Sequence, residues 1–144
     1  MKESPLEDGP SPDESRTLAR LIVQVADRAR DRFTTAIEPL GLPVPIARTV
    51  LLLTHPMPLR EIADQLGCDP SYVTTLADRL EDRGLARRVT GEDRRVKLLE
   101  PTPAGLELQK RIAAAVGGSA AFARQLPAAD RQVLSALLER LLED

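Results

Sequence analysis

The sequence predicts a mainly α-helical chain that carries one small β-hairpin. Through most of its 144 residues, apolar side chains recur at intervals of three or four, which is the period of an amphipathic helix. Aromatic residues make up only 2% of the chain, so the core must consist of aliphatic side chains, and Leu and Ala are strong helix formers. Between residues 85 and 99, two short segments rich in branched residues flank a turn at Gly91, as in a hairpin.

The N-terminal part is predicted to consist of a tail and one long helix. Residues 1–10 are rich in Pro, Gly and acidic residues and lack hydrophobic periodicity, which predicts a disordered acidic tail. A helix over residues 11–40 begins at Ser11, whose spacing to Glu14 is that of a capping box, with Pro12 at the first helical position. No neighbour in sequence covers the apolar stripe of this helix, so we assign it to dimerisation.

The central segment, residues 41–101, is predicted to be a winged helix-turn-helix. A short helix after Pro43 ends in the proline-rich run 55–58. Two further helices abut at Gly67, which favours a helix C-terminus, and Asp69, which favours a helix N-terminus. The predicted hairpin follows directly. A helix, a tight turn, a second helix and a hairpin occur in this order in winged helix-turn-helix proteins.

Residues 102–144 are predicted to form further helices that also serve dimerisation. Thr102 and Pro103 mark the start of the first one. Its predicted buried face comprises Leu106, Ile112, Ala113 and Val116. A last helix after Pro127 is rich in Leu. Together with the first helix it carries more apolar surface than a small domain covers, which predicts a homodimer; the alternative is that both stripes fold back within one chain.

Positive charge is concentrated in one short part of a chain that is slightly acidic as a whole. The formal net charge of −2 by itself argues weakly against a nucleic-acid partner. Between Arg83 and Lys97, however, six basic residues stand against Glu92 and Asp93. Because a protein meets DNA with one face, this local excess favours DNA binding by the hairpin region.

The second helix of the predicted helix-turn-helix carries a polar face that suits base recognition. Once the apolar positions are set aside, this face consists of Ser71, Tyr72, Thr74, Thr75, Asp78 and Arg79, and all of these except Asp78 are predicted DNA-binding residues. Such hydroxyls and guanidinium groups hydrogen-bond to base edges and phosphates when the helix lies in the major groove. The alternative is the ordinary solvated face of a structural helix pair.

The hairpin tip carries the run Asp93, Arg94 and Arg95, close after Gly91. A carboxylate beside two guanidinium groups suggests that Asp93 holds one of them in a fixed direction. An arginine held in this way suits insertion into a narrow, electronegative minor groove. The alternative is a charged turn that serves solubility alone.

Three motifs, taken together in this order and spacing, resemble those of the MarR family of winged helix regulators. They are Pro58-Leu59-Arg60-Glu61-Ile62-Ala63, then Asp69-Pro70-Ser71-Tyr72-Val73-Thr74 with Asp78-Arg79-Leu80-Glu81 and Arg83-Gly84-Leu85, and finally Asp93-Arg94-Arg95 with Leu98 and Thr102-Pro103-Ala104-Gly105. The resemblance covers nearly the whole chain from about residue 12. It implies a homodimer with interleaved first and last helices, bound to double-stranded DNA at a pseudo-palindromic operator, often as a repressor. It also implies DNA-binding roles for Asp93 and Arg95 in the wing and for the polar face of the recognition helix.

The resemblance further implies release from DNA by a small, often aromatic or phenolic, effector. In the family such ligands bind in a crevice between the dimerising helices and the winged unit. The corresponding candidates here are Phe33, Ile37, Val50 and Leu106. Each of them is equally explained as part of the hydrophobic core.

No pattern in the sequence predicts an enzyme, a cofactor or a metal site. Cys68 is the only cysteine and His55 the only histidine, so neither a disulfide nor a metal cluster is expected. No apolar run approaches the roughly 20 residues of a membrane span, and the N-terminus lacks a signal-peptide pattern. We therefore expect a cytoplasmic protein without a membrane partner, associated with the nucleoid when bound to DNA.

Two alternatives to a ligand-responsive DNA-binding regulator remain open at this point. The near-neutral charge motivates a winged helix adaptor that binds proteins rather than DNA. Cys68 motivates a thiol switch, although its position beside Gly67 favours simple packing of a small side chain.

Overall fold

The computed structural model describes residues 9–117 and 121–143. Its elements in chain order are α1 (Pro12–Ile37), a 3₁₀ helix (Glu38–Leu40), α2 (Val44–Leu52), β1 (Met57–Pro58), α3 (Leu59–Leu66), α4 (Pro70–Asp82), β2 (Ala86–Thr90), β3 (Lys97–Pro101), α5 (Pro103–Gly117), α6 (Ala121–Arg124) and α7 (Ala128–Leu142). The predicted fold class, helices with a small antiparallel sheet in a winged helix arrangement, is confirmed. Most of the predicted tail, residues 1–8, lies outside the described residues.

The predicted capping residues begin and end the helices where expected. The Ser11 hydroxyl accepts a hydrogen bond from the Glu14 N–H (3.1 Å) at the start of α1. Thr102 does the same for the Gly105 N–H (3.1 Å) at the start of α5. Gly67 ends α3 with a left-handed backbone (φ 65°), a conformation that costs glycine little.

The wing belongs to a three-stranded antiparallel sheet, with the strand order β1-β3-β2. The sequence predicted only the hairpin of β2 and β3, and assigned the run 55–58 to helix termination alone. In the structure, Met57 pairs with Leu99 and Pro58 with Leu98. A two-residue strand is too short to show alternation, and Pro58 has no N–H, which restricts it to an edge strand. This added strand fixes the start of α3 beside the start of β3.

The core lies where α2, α3, α4 and β3 meet the end of α1 and one side of α5. Its largest fully buried side chains include Ile37, Ile46, Met57, Ile62, Leu76, Leu80, Leu99 and Ile112. Thr49 is buried as well, and its hydroxyl donates to the Pro45 carbonyl (2.7 Å). Gln109 on α5 donates from Nε2 to the carbonyls of Val50, Leu51 and Leu53, each at 3.2 Å, and so satisfies the C-terminal end of α2.

The buried face of α5 differs from the predicted one. Ile112 is buried and Val116 packs against the core, as expected, but Leu106 is 38% exposed and Ala113 is exposed. The helix instead turns Gly105 and Leu108 inward, together with Gln109. A Cβ atom on Gly105 would lie 2.0 Å from the Leu85 carbonyl oxygen, so a close backbone contact sets the rotation of α5.

The long helices at the two ends contribute little to this core. Ile37 is the only buried residue of α1, and no residue of α7 is buried among those described. No single helix in the described ranges is long and apolar enough to span a membrane. The segment Pro12–Leu40 has the length and composition of a membrane span only when it is taken together with α2, and a 95° bend separates the two.

Replacing Gly105 by Ala is expected to destabilise the protein by about 1–3 kcal/mol, because the added methyl group must displace the backbone of Leu85. Urea unfolding followed by circular dichroism measures the change. Gly117→Ala is the matched control, since a Cβ there meets nothing within 4 Å in the described part of the chain. Equal stability of the two variants would contradict the proposed packing constraint.

Candidate nucleic-acid interface

The helix-turn-helix is formed by α3 and α4 and by the turn between them. The Cys68 N–H donates to the Ala63 carbonyl (3.0 Å) just after Gly67, which completes the end of α3. Asp69 then caps α4, because its Oδ1 accepts from the Ser71 N–H (2.8 Å) and from the Ser71 hydroxyl (2.6 Å). These two hydrogen bonds lower the pKa of the Asp69 carboxyl below its ordinary value. The turn is therefore closed by local bonds that fix the direction of α4.

The helix α4 presents the predicted polar face to solvent. Its buried side consists of Val73, Leu76, Ala77 and Leu80. Its exposed side carries all of the predicted recognition residues, Ser71, Tyr72, Thr74, Thr75 and Arg79. Ser71 donates its hydroxyl to Asp69, and Thr74 donates to the Pro70 carbonyl (3.4 Å). The side chains of Thr75 and Arg79 have no hydrogen-bond or ion-pair partner within the described residues, so their donors are free for a ligand.

The turn of the wing is held by backbone hydrogen bonds rather than by a fixed guanidinium group. Oδ1 of Asp93 accepts from the Arg95 N–H (3.0 Å), and the Asp93 carbonyl accepts from the Val96 N–H (2.9 Å). The expectation that the Asp93 carboxylate fixes an arginine side chain is therefore not met. Its short side chain reaches the backbone two residues further on, which is the usual geometry of an Asx turn. Arg94 and Arg95 are exposed, and neither forms an ion pair within the ranges that the structure describes.

Two of the six basic residues counted between Arg83 and Lys97 are neutralised by acids outside that segment. Arg87 pairs through Nε with Glu100 (2.7 Å) across the sheet. Arg88 pairs through Nη2 with Asp78 (2.7 Å) and through Nη1 with Glu81, both on α4. The free positive charge of the segment is therefore smaller than the sequence suggested. It lies on Arg83, Arg94, Arg95 and Lys97, none of which forms an ion pair in the described chain.

The Arg88 guanidinium joins the wing to α4. Besides its two carboxylate partners, it donates from Nη2 to the Thr74 carbonyl (3.2 Å). Its side chain is only 29% exposed. Burial acts to lower the pKa of Arg88, but the hydrogen bonds and charges of Asp78 and Glu81 outweigh it and raise the pKa, so the group stays charged. Sequence reasoning missed this contact because its partners lie 7 to 14 positions away on another element.

A cavity of about 560 Å³ opens between α1, α2 and the end of α3. It is lined by Ala29, Arg30, Phe33, Thr34, Val44, Arg48, Leu51, Leu52, Gln65 and Leu66. Of the four effector candidates named from the sequence, Phe33 lines this cavity. Ile37 and Val50 are buried in the core, and Leu106 is exposed on α5 outside it. Arg30 pairs with Asp27 (3.1 Å), whereas Arg48 forms no ion pair with a described residue.

Cys68 and His55 lie in surroundings that do not indicate a special chemical role. Cys68 is half-buried and packs against the core, in the wall of a smaller cavity that also contains Arg48 and Tyr72. His55 is exposed, with Nδ1 2.9 Å from the Thr54 hydroxyl. Among the described residues, no three His, Cys, Asp or Glu side chains are placed to share a metal ion.

Replacing Arg88 by Met is expected to lower the free energy of unfolding by about 1–3 kcal/mol, because the partly buried Glu81 carboxylate loses its charged donor and the more exposed Asp78 loses its ion pair. Arg87→Met is the matched control, since the Arg87 side chain is 68% exposed and an exposed pair contributes at most about 1 kcal/mol. Chemical denaturation of both variants measures the difference. A larger loss for Arg87→Met would contradict the assigned role of Arg88.

The model of the MarR family matches residues 52–97, from the last residue of α2 to the first residue of β3. No functionally curated protein matches the sequence.

Many solved structures share the fold. A MarR-family transcriptional regulator from Rhodococcus sp. RHA1 is 27% identical, with 92% of this chain and 97% of that chain covered and a TM-score of 0.76. CouR from Rhodococcus jostii RHA1, solved with bound p-coumaroyl-CoA, is 25% identical, with 88% and 91% covered and a TM-score of 0.76. A mutant MarR from E. coli, solved in complex with operator DNA, is 22% identical, with 93% and 99% covered and a TM-score of 0.72, and it shares the fold. The resemblance to the MarR family is confirmed.

Proposed function

We propose that this chain, which has the winged helix fold of MarR-family transcriptional regulators, binds a pseudo-palindromic operator as a homodimer, acts as a repressor and is released by a small effector. One observation carries the proposal. The exposed polar face of α4 and the arginine-bearing wing are fixed to each other through Arg88, so both reach the same partner in a set geometry.

The free groups on α4 suit sequence recognition in the major groove. Thr75 and Arg79 present unpaired donors, and Tyr72 adds an exposed ring and hydroxyl. Ser71 and Thr74 donate within the helix, but their hydroxyl oxygens still accept hydrogen bonds. Base edges in the major groove offer both donors and acceptors to such side chains. The wing, with Arg94 at its exposed tip, suits contact with the adjacent backbone and minor groove.

The apolar faces of the terminal helices support the homodimer. Leu18, Leu21, Ile22, Val23 and Val25 on α1 are 45–57% exposed, and Val133, Leu134, Leu137, Leu138, Leu141 and Leu142 on α7 are 37–84% exposed. A second copy of the same chain covers such faces in a symmetric dimer and places two recognition helices on one DNA duplex. We therefore keep residues 11–40 and 102–144 as dimerisation segments and 41–101 as the DNA-binding region.

The cavity beside Phe33 is the place we propose for the effector. Most of its lining is apolar, and Arg48 offers an unpaired positive charge at its wall. An aromatic acid matches both features, through ring contact with Phe33 and through a carboxylate near Arg48. CouR, which shares the fold, binds p-coumaroyl-CoA, an aromatic ligand that carries anionic groups.

An operator selected from a random DNA pool with the full chain is expected to bind the Thr75→Ala variant about 5- to 150-fold more weakly, because one base-reading group is lost. Binding to an unrelated duplex should change little. An electrophoretic mobility shift assay at fixed salt measures the affinity for the operator and for the unrelated duplex. Thr54→Ala is the matched control, since Thr54 lies before β1, at the end of the sheet away from the wing tip. If no duplex is selected and the binding of the protein to DNA does not depend on salt, the result would instead favour a protein-binding adaptor.

Addition of p-coumarate as an aromatic acid probe is expected to stabilise the wild type by about 1.4 kcal/mol at ten times its dissociation constant. Arg48→Gln should lose most of this stabilisation, because the carboxylate loses its charged partner. Thermal shift measures the effect, with Arg111→Gln on α5 as the control. The assignment of the cavity fails if both variants respond as the wild type does.

A further inference from the structure

We infer a second DNA contact at the base of the wing, a cleft that holds a backbone phosphate. The cleft has a volume of about 470 Å³ and is lined by Pro58, Leu59, Arg60, Arg95, Val96 and Lys97. We call it the wing-base cleft. This inference rests on the proposed function, since it assigns the cleft to the same DNA partner.

The short strand β1 builds the wing-base cleft. Because Pro58 pairs with Leu98 in antiparallel register, the residues after Pro58 lie beside the residues before Leu98. The first turn of α3, with Arg60, is thereby brought against the start of β3, with Lys97. Arg95 reaches the same cleft from the turn of the wing. The sequence motifs at residues 58–63 and 93–95 thus meet at the wing-base cleft.

The charges around the wing-base cleft call for an anion. Arg60, Arg95 and Lys97 are all exposed, and none has an ion-pair partner in the ranges described. Glu61, the acid in the same turn of α3, accepts a hydrogen bond from Gln65 instead (3.3 Å). Three cations around one cavity repel each other, and an anion between them removes that repulsion. Guanidinium groups in particular match the geometry of phosphate oxygens.

The location of the cleft favours a phosphate of the DNA backbone over a base edge. In a helix-turn-helix, the first helix crosses the backbone while the second enters the groove, and Arg60 lies on the first helix. The start of α3 also lacks a side-chain cap, so no side chain of the described residues competes with a ligand there. Arg95 accordingly shares in positioning the protein on the duplex, and Arg94 is left as the exposed cation of the wing tip.

The experiment measures affinity for the selected operator and for an unrelated duplex between 0.05 and 0.2 M salt, with full-length wild type and Arg60→Gln. Loss of one phosphate contact per subunit removes two contacts per dimer and reduces the slope of log affinity against log salt by about 1.8. Over this salt range the affinity of the variant should therefore fall about tenfold less than that of the wild type. At low salt, Arg60→Gln should bind the operator and the unrelated duplex more weakly than the wild type by the same factor. The variant Arg60→Lys should restore most of the slope.

Arg111→Gln, which removes an exposed positive charge on α5 far from the cleft in sequence, is the matched control and should keep the wild-type slope. A wild-type slope in Arg60→Gln would overturn the wing-base cleft while leaving operator binding intact. A loss confined to the operator would also overturn it, because that result indicates base reading. Absence of salt-sensitive DNA binding by the wild type would overturn the proposed function itself.

Discussion

The guanidinium group of Arg88 holds the two parts of the candidate DNA-binding surface in one geometry. It leaves the sheet from β2 and meets two carboxylates and a backbone carbonyl of α4. The Arg88 and Glu81 side chains are 29% and 35% exposed, so their ion pair is screened less by solvent than a surface pair, and the several donors of Arg88 fix direction as well as distance. The angle between α4 and the wing is thereby set in the unbound protein, and no free energy of binding to a partner is needed to order it.

The ion pairs of Arg87 and Arg88 explain why a count of charges along the sequence overstates the basic surface. Arg87 and Arg88 belong to the basic segment by position, yet their charges are used inside the protein. Of the cations in this segment that form no ion pair with a described residue, Arg83 ends α4, whereas Arg94, Arg95 and Lys97 follow Asp93 in the wing. The candidate DNA-binding surface therefore presents a few separate cations rather than a continuous basic patch.

Local signals in the sequence predicted most of the fold, and contacts between distant residues account for what they missed. Ser11, Gly67 and Asp69 act within three or four residues, so their caps could be read directly. The strand β1, the partners of Arg88 and the Gln109 hydrogen bonds depend on register or on separations of 7 to 59 residues, which no local pattern encodes. The recognition face was predictable because helical period alone separates it from Val73 and Leu76. The effector candidates were not, since a core residue such as Ile37 and a cavity residue such as Phe33 look alike in sequence.

The proposed homodimer links the exposed apolar faces of α1 and α7 to the candidate DNA-binding surface, because a pseudo-palindromic site would require two copies of α4 in a fixed spacing. Sedimentation velocity of the full chain at micromolar concentration, alone and with its selected operator duplex, tests that link most directly. The account predicts a dimer without DNA and a complex of two chains on one duplex. A monomer in the absence of DNA, or one chain per duplex, would contradict it.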